Sequence, residues 1–366
     1  MRTVAAFTDT YLPTVNGVSY TVRTWRDRWR RRGGRMAVVY PDDTARRPDS
    51  GEHPVPSAPF PFYDGFRFAV PTVPDDVRGS EPDVVHAHTP FALGLAGRRL
   101  AGNLDAPLVV SYHTPAGEYA SYISDRFSAQ IRRIAGGYER WFFEGADAIV
   151  APSETAAAAV RGVNTPVHVV SNGVDTDRFR PVGEGRNAAF KRRYELPAGP
   201  LVGYTGRHGH EKRLDEILAA TAGLDVGVVF AGDGPARPDL ERRAANRDDV
   251  VFLGFLDRSE LPAFYSALEA FVFPSPVETQ GLVALEAIAC GTPVVAAEAG
   301  ALAETVTDGE TGFHFEAGNE EAFRAAIART LAEAERLPTR LDERRETLDV
   351  ERSIDELQTV YDDVCN

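Results

Sequence analysis

Residues 271–296 read FVFPSPVETQGLVALEAIACGTPVVA. Residues 271–273 form an apolar run of strand type, and a Pro/Ser turn leads from them into a short helix beginning near Gly281 or Leu282. That helix should stop at Cys290–Gly291, and Pro293 precedes a second buried strand over residues 294–296. Glu286 is the anomaly, a carboxylate among Leu282, Val283, Leu285, Ala287 and Ile288. A helix apolar on all sides is a buried one, and a buried carboxylate needs a partner. Glu278 stands in the loop just ahead of the helix. One acid at a helix mouth and another inside it suggest a polar ligand gripped at that mouth.

Working outward, 366 residues suit two domains of ordinary size, each with its own core. Two cysteines, Cys290 and Cys365, make no disulfide framework, so a reducing, cytoplasmic setting is expected. The opening MRTVAAFTDT lacks a secretory pattern, and no apolar run approaches the length of a spanning helix. The expectation is a soluble protein, or one peripheral on the cytoplasmic membrane face. The net charge is −14, and Lys191 and Lys212 are the only lysines among 40 basic residues. An acidic, arginine-rich, lysine-poor chain resembles proteins of salt-adapted organisms, and an acidic mesophilic enzyme is the alternative. Such a surface argues against nucleic-acid binding, which depends on basic charge. It also makes a lysine at a site-like position more telling.

The first residues read as strand, loop, helix and strand. The loop carries Pro13, Asn16 and Gly17, and the helix sets Val18, Val22, Trp25 and Trp29 on one face. In open α/β sheets ligands bind beyond the carboxyl ends of strands, so the Gly17 loop is a candidate, although a plain turn accounts for it equally. The same helix carries Arg23, Arg26, Arg28, Arg30, Arg31 and Arg32. With two tryptophans it could lie on an anionic membrane surface; otherwise the tryptophans pack on the sheet and the arginines form a solvated face. Residues 41–80 read as Pro-rich and irregular, with Phe60, Phe62, Tyr63, Phe66 and Phe68 in a loop that either binds or covers an edge. Two further strands end in His86 and His88, and in His113. Three histidines could hold a metal, but no carboxylate or cysteine stands at ligand spacing, so no metal is expected and a polar role at the sheet edge is preferred.

Strands near residues 148–151 and 167–170 continue the series, with Ser153 capping the helix between them. The Asp-Thr-Asp run in SNGVDTDRFRP reads as turn and cap chemistry. A polar stretch over residues 181–199 then reads as a connection between domains. A second strand–helix series follows, from residues 201–204 into GRHGHEKRLDEIL, 226–230 into AGDGP, and 250–253 into GFLDRSEL. The opening stretch and a short strand near residue 314 complete it. The expected organisation is an amino-terminal domain over 1–180, the connection 181–199, and a carboxyl-terminal domain over 200–345. Residues 346–366 form a last helix able to pack back on the first domain. The fold class is α/β, two Rossmann-like parallel sheets facing a cleft.

Arg207 and Lys212 follow a strand and stand near a helix mouth, where two cations would cradle a diphosphate. The plainer alternative pairs them with Glu211 or Asp215. Neither a G-x-x-x-x-G-K-[ST] loop nor a G-x-G-x-x-G fingerprint after the first strand is present, which weighs against Walker-type and dinucleotide redox chemistry.

These residues carry a family resemblance. TDTYLPTVNGVSYTV, PDVVHAHTPF, SYHT, APSE, SNGVDTDRFRP, GRHGHEK, FAGDGP, FLGFL and ETQGLVALEAIACGTPVV, in this order, make the chain similar to the family 4 glycosyltransferases over nearly its whole length. The resemblance implies the GT-B fold, a retaining mechanism and a nucleotide-sugar donor, with no cofactor and no metal. Glu278 and Glu286 match the E-x7-E pair: Glu286 would hold the ribose hydroxyls and Glu278 the donor sugar. Amides of Thr279, Gln280 and Gly281 would complete the sugar and phosphate contacts. Arg207 and Lys212 match the pyrophosphate-binding pair, Gly17 the loop that closes on the diphosphate, and His113 the histidine of the sugar site. Many members have Gly-Phe after the first glutamate, where this chain has Thr279–Gln280–Gly281.

Two cations suffice to stabilise the charge of a leaving diphosphate, and a front-face route, with the phosphate helping to deprotonate the acceptor, would retain configuration. SYHTPAGEYASY and the aromatic loop resemble enzymes that glycosylate diacylglycerol-type lipids, including sulfoquinovosyl, glucosyl and some mannosyl transferases. The expected function is hexosyl transfer from a UDP- or GDP-sugar to a membrane lipid or lipid-linked glycan, with domain closure about residues 181–199. The rivals are a soluble transferase acting on a sugar metabolite or polysaccharide, a non-catalytic nucleotide-sugar binding protein, and an epimerase of the same fold. A phosphorylase would need a Schiff-base lysine, for which Lys191 is poorly placed.

Overall fold

A computed structural model describes every residue except 44–45, 61–66, 114–127 and 334–335. The chain divides into two compact units, Met1–Asn172 with Val350–Asn366, and Gly173–Asp349.

In the first unit β1 (Thr3–Phe7), β2 (Arg35–Pro41), β3 (Glu52–Val55), β6 (Val84–Ala87), β7 (Leu108–Ser111), β8 (Ala148–Ala151) and β9 (Val167–Val169) form one parallel sheet, in the order β3-β2-β1-β6-β7-β8-β9. A small antiparallel pair, β4 (Ser57–Pro59) and β5 (Arg67–Ala69), stands apart from it. Alternation along β1 sorts its side chains to two faces. Ala5 and Phe7 join a core with Val39, Val85, Val110 and Ile149, whereas Val4 and Ala6 join one with Val38, Val84 and Val109. Both faces are covered, which is why these strands read as continuous apolar runs.

The second face is covered by the helices Gly17–Arg31 and Val350–Cys365. Here the membrane-facing reading of the first helix fails. Trp25 is 1 % and Trp29 0 % exposed, and their indole N–H groups donate to the carbonyls of Asn172 and Arg2 at 2.9 and 3.0 Å. The arginines divide: Arg26 is buried against Glu52, Arg28 pairs with Glu351 at 3.1 Å and Arg32 pairs with Glu351 and Asp355, whereas Arg30 and Arg31 are exposed. A tryptophan that packs on a sheet and still finds an acceptor gains more than one left at a surface.

The second unit carries a six-stranded parallel sheet in the order β12-β11-β10-β13-β14-β15. Its strands are β10 (Leu201–Thr205), β11 (Gly227–Ala231), β12 (Val250–Gly254), β13 (Ala270–Phe273), β14 (Val294–Ala297) and β15 (Gly312–Phe315). The polar stretch 181–199 contains a helix, Glu184–Arg193, whose Phe190 enters this unit's core. In both sheets the strand order reverses once, beside β1 in the first and beside β10 in the second. The loops leaving such a switch point at its carboxyl edge open a crevice. Among the described residues no helix is long and apolar enough to cross a membrane.

Candidate functional site

The second unit's switch point lies between β10 and β13, and the loops leaving those strands carry Arg207, Lys212 and Glu278. After β10 the chain runs through Gly206 into a single 3-10 turn, His210–Lys212. The neighbouring AGDGP turn nests against it. A side chain at Gly234 would come within 2.6 Å of the His208 carbonyl, and φ is +154° there, so the position requires glycine.

Across the switch point the Lys212 Nζ donates to Glu278 Oε1 at 2.6 Å, with 20 % and 14 % of the two side chains exposed. Burial works against the Lys212 ammonium, but Glu278 and then the lesser surrounding groups outweigh it and raise its pKa above the usual lysine value. Arg207 pairs with Glu211 at 2.5 Å, the partner that the plainer reading named.

Glu278 begins a loop fastened to residues 300–305: its carbonyl accepts from the Ala301 amide at 3.2 Å, and that of Gln280 accepts from Thr305 Oγ1 at 2.6 Å. Gln280 itself is 6 % exposed. Gly281 then turns the chain with φ +79°, where an added Cβ would meet the Leu302 side chain at 2.6 Å, and the helix Leu282–Ala289 begins. The strand, turn, helix and strand thus fall where the residue pattern put them.

Glu286 is 2 % exposed inside that helix. The carboxylate expected to await a ribose already has protein partners: Tyr265 donates its hydroxyl to Oε2 at 2.9 Å, and Arg258 pairs with Oε1 at 2.9 Å. Burial raises its pKa, with Arg258 and then Tyr265 opposing. Arg258 also lies over the Phe179 ring, 4.8 Å from its centroid. Sequence reasoning missed both partners. Tyr265 sits on another helix and Arg258 in a loop of an arginine-rich chain, so no spacing singled them out.

Arg207, Lys212, Glu278, Thr279, Gln280, Gly281 and Glu286 therefore belong to one unit, and Gly17 and His113 to the other. Gly17 opens the first helix behind Asn16, whose side chain accepts from the Ser19 amide at 2.9 Å and donates to Thr10 Oγ1 at 2.6 Å. Among the described residues nothing lies within 4 Å of where a Cβ on Gly17 would stand. His113 follows β7, with Nε2 3.1 Å from His88 Nδ1. Among the described residues no group of three His, Cys, Asp or Glu side chains is placed to hold a metal. Of the quoted lipid-enzyme motif and aromatic loop, residues 114–122 and 61–66 lie outside the described residues.

Known proteins resemble this chain along most of its length. The model described as Glycosyltransferase Family 4 matches residues 15–178, and that described as Glycosyl transferases group 1 matches residues 188–347. A GDP-mannose-dependent alpha-mannosyltransferase of Mycobacterium tuberculosis is 33 % identical over 91 % of this chain and 89 % of that protein. An alpha-monoglucosyldiacylglycerol synthase of Streptococcus pneumoniae is 31 % identical over 80 % of this chain and 70 % of its own length. Among solved structures, sucrose-phosphate synthase of Thermosynechococcus elongatus superposes with a TM-score of 0.79 at 22 % identity, covering 100 % of this chain and 99 % of that one. Two parallel-sheet units of the GT-B fold, with family matches spanning both, place the chain in glycosyltransferase family 4, and it is a glycosyltransferase.

Proposed function

We propose that the enzyme is a retaining hexosyltransferase that takes its sugar from a nucleotide diphosphate sugar and delivers it to a membrane lipid or lipid-linked glycan. The Lys212–Glu278 pair spanning the β10/β13 switch point carries this reading. Breaking the sugar–phosphate bond leaves negative charge on the diphosphate. Lys212, held protonated, and Arg207 supply fixed positive charge where it develops. Glu278 orients Lys212 and offers its carboxylate to sugar hydroxyls, while Glu286, set by Arg258 and Tyr265, serves the ribose. The leaving phosphate takes the acceptor's proton on the same face, which retains configuration. Gly17 and His113 are the first unit's residues assigned by the family resemblance to the diphosphate and the sugar, and a glycine at position 17 suits a close approach by phosphate. GDP-mannose is the first donor to test, since the mycobacterial relative is named for it, and the pneumococcal relative's name favours a diacylglycerol-type acceptor.

One observation favours a second reading, a soluble acceptor: the first helix, with both tryptophans buried, offers no membrane face. Flotation with anionic liposomes separates the two, and a protein that stays behind counts against the lipid version. The main test is a screen of UDP- and GDP-sugars with total lipid extract, with and without chelator, following nucleotide release and labelled lipid together. A lipid product reduced about 10²- to 10³-fold by Lys212→Ala, and also lost in Glu286→Gln, is expected. Full activity in both variants sinks the site.

A further inference from the structure

The first unit contains buried imidazoles that this reaction leaves unused. His86 and His88 come off the carboxyl end of β6, beside the end of β7 that carries His113. The rings are stacked, His86 on His88 with centroids 4.0 Å apart and His88 on His113 at 5.4 Å. Trp25 flanks all three, with centroids 6.0 to 6.4 Å away. Both nitrogens of His86 are engaged, Nδ1 with the Tyr361 hydroxyl at 2.6 Å and Nε2 with Ser111 Oγ at 2.7 Å. His88 differs. Its Nδ1 lies 3.1 Å from His113 Nε2, and its Nε2 is buried with no hydrogen-bond partner among the described residues.

Burial holds all three rings neutral near pH 7. It pushes His113 down to about 4 and, with His113, His86 down to about 3, and burial together with His86 and His113 holds His88 well below the usual histidine value. A neutral imidazole has one N–H and one bare nitrogen, so the His88–His113 bond has two forms. In the first, His88 carries its proton on Nδ1 and donates it, leaving a bare Nε2 in the interior. In the second, His113 donates, and the buried Nε2 of His88 carries an N–H with nothing to receive it. Orphaned buried N–H groups are the rarer of the two defects.

We infer that His88 donates from Nδ1 to Nε2 of His113 and so holds His113 in the tautomer protonated on Nδ1. His88 is a positioning residue, acting on the ligand only through His113. Resting on the reading of His113 as a sugar-site residue, the consequence is that His113 meets an oxygen of the donor sugar as a hydrogen-bond donor and takes no proton there. The stacked His86, fixed at both nitrogens, keeps the His88 ring in place.

The tautomer is read directly in the full chain labelled with 15N-histidine, from long-range proton–nitrogen spectra assigned with His88→Asn and His113→Gln. Protonated Nδ1 and bare Nε2 on both His88 and His113, unchanged between about pH 6 and 8, is the expected result. A protonated Nε2 on His113 overturns the inference whatever the activity. In His88→Leu, His113 should move towards the Nε2–H form, and turnover should fall about tenfold or more with a smaller change in KM. His88→Asn, with an amide able to donate near the Nδ1 position, should recover most of that loss. Wild-type tautomers as expected, with transfer at full rate in both His88→Leu and His113→Gln, would instead remove the sugar-site role of His113 and with it the positioning role of His88.

Discussion

Glu286 looks from its neighbours like a core position given to the wrong residue type, and its setting explains why it is tolerated. Arg258 supplies the opposite charge and Tyr265 a hydroxyl, each at 2.9 Å. Removing one partner of a buried pair strands the other, at a cost of about 3–5 kcal/mol. Arg258→Leu should therefore destabilise the second unit by about that much in urea titrations at neutral pH. Burial already raises the Glu286 pKa and Arg258 opposes it, so losing Arg258 raises it further. An acid whose folded pKa lies above its unfolded value favours the fold when protonated, and that contribution is lost as pH rises. The deficit of Arg258→Leu should thus be larger at pH 8 than at pH 5, and a deficit independent of pH would contradict this account. Lys212 was legible because lysine is scarce in this chain. Arg258 was not, because its partner is chosen by packing between elements far apart in sequence.

At the scale of elements, the strands of both sheets were legible as apolar runs because parallel strands are buried on both faces. Residues 41–80, read as irregular, hold β3, β4, β5 and the helix Asp75–Gly79, and residues 181–199 hold another helix; β3 and that last helix show why these were not legible. β3 is an edge strand of four residues that contains Pro54, and a proline survives only where one side of a strand needs no ladder bond. Glu184–Arg193 is polar along most of its length and buries only Phe190, so it reads as linker. β3 also carries Glu52, which accepts from Tyr11 at 2.9 Å and pairs with buried Arg26 and with Arg46. Burial alone would raise the Glu52 pKa, but Arg46, the Asp49 amide, Arg26 and Tyr11 together lower it to about 2. This contribution to stability is present above the unfolded carboxyl pKa, about 4.3, and is lost as pH falls towards 2. Glu52→Gln should cost about 3–5 kcal/mol at pH 7. Its deficit should shrink steadily below about pH 4, as measured by urea unfolding followed through tryptophan fluorescence.

For the whole molecule, the α/β class and the two sheets could be read from the alternation of elements, whereas the composition of each unit depends on tertiary contact. The Val350–Cys365 helix contributes Val350, Ile354, Leu357, Val360 and Tyr361 to the first unit's core, and Tyr361 packs edge-on to Trp29 with centroids 5.2 Å apart. At about 1.5–3 kcal/mol for each buried side chain, losing five exceeds the stability of an ordinary domain. Deleting residues 350–366 should therefore unfold the first unit and leave Gly173–Asp349 protected in limited proteolysis. Equal protection of both units would show that the helix is dispensable.

That arrangement bears on how the chain is made and on how it can be recombined. A ribosome synthesises residues 1–172 before residues 173–349, yet the helix that finishes their core emerges after both, so the middle unit has all its residues before the first unit does. The order of completion is inverted relative to the order of synthesis, and the nascent first half stands with Trp29 short of its final cover. For the same reason a chimera that exchanges the first half of this enzyme with a relative's must be cut twice, taking residues 350–366 along with residues 1–172.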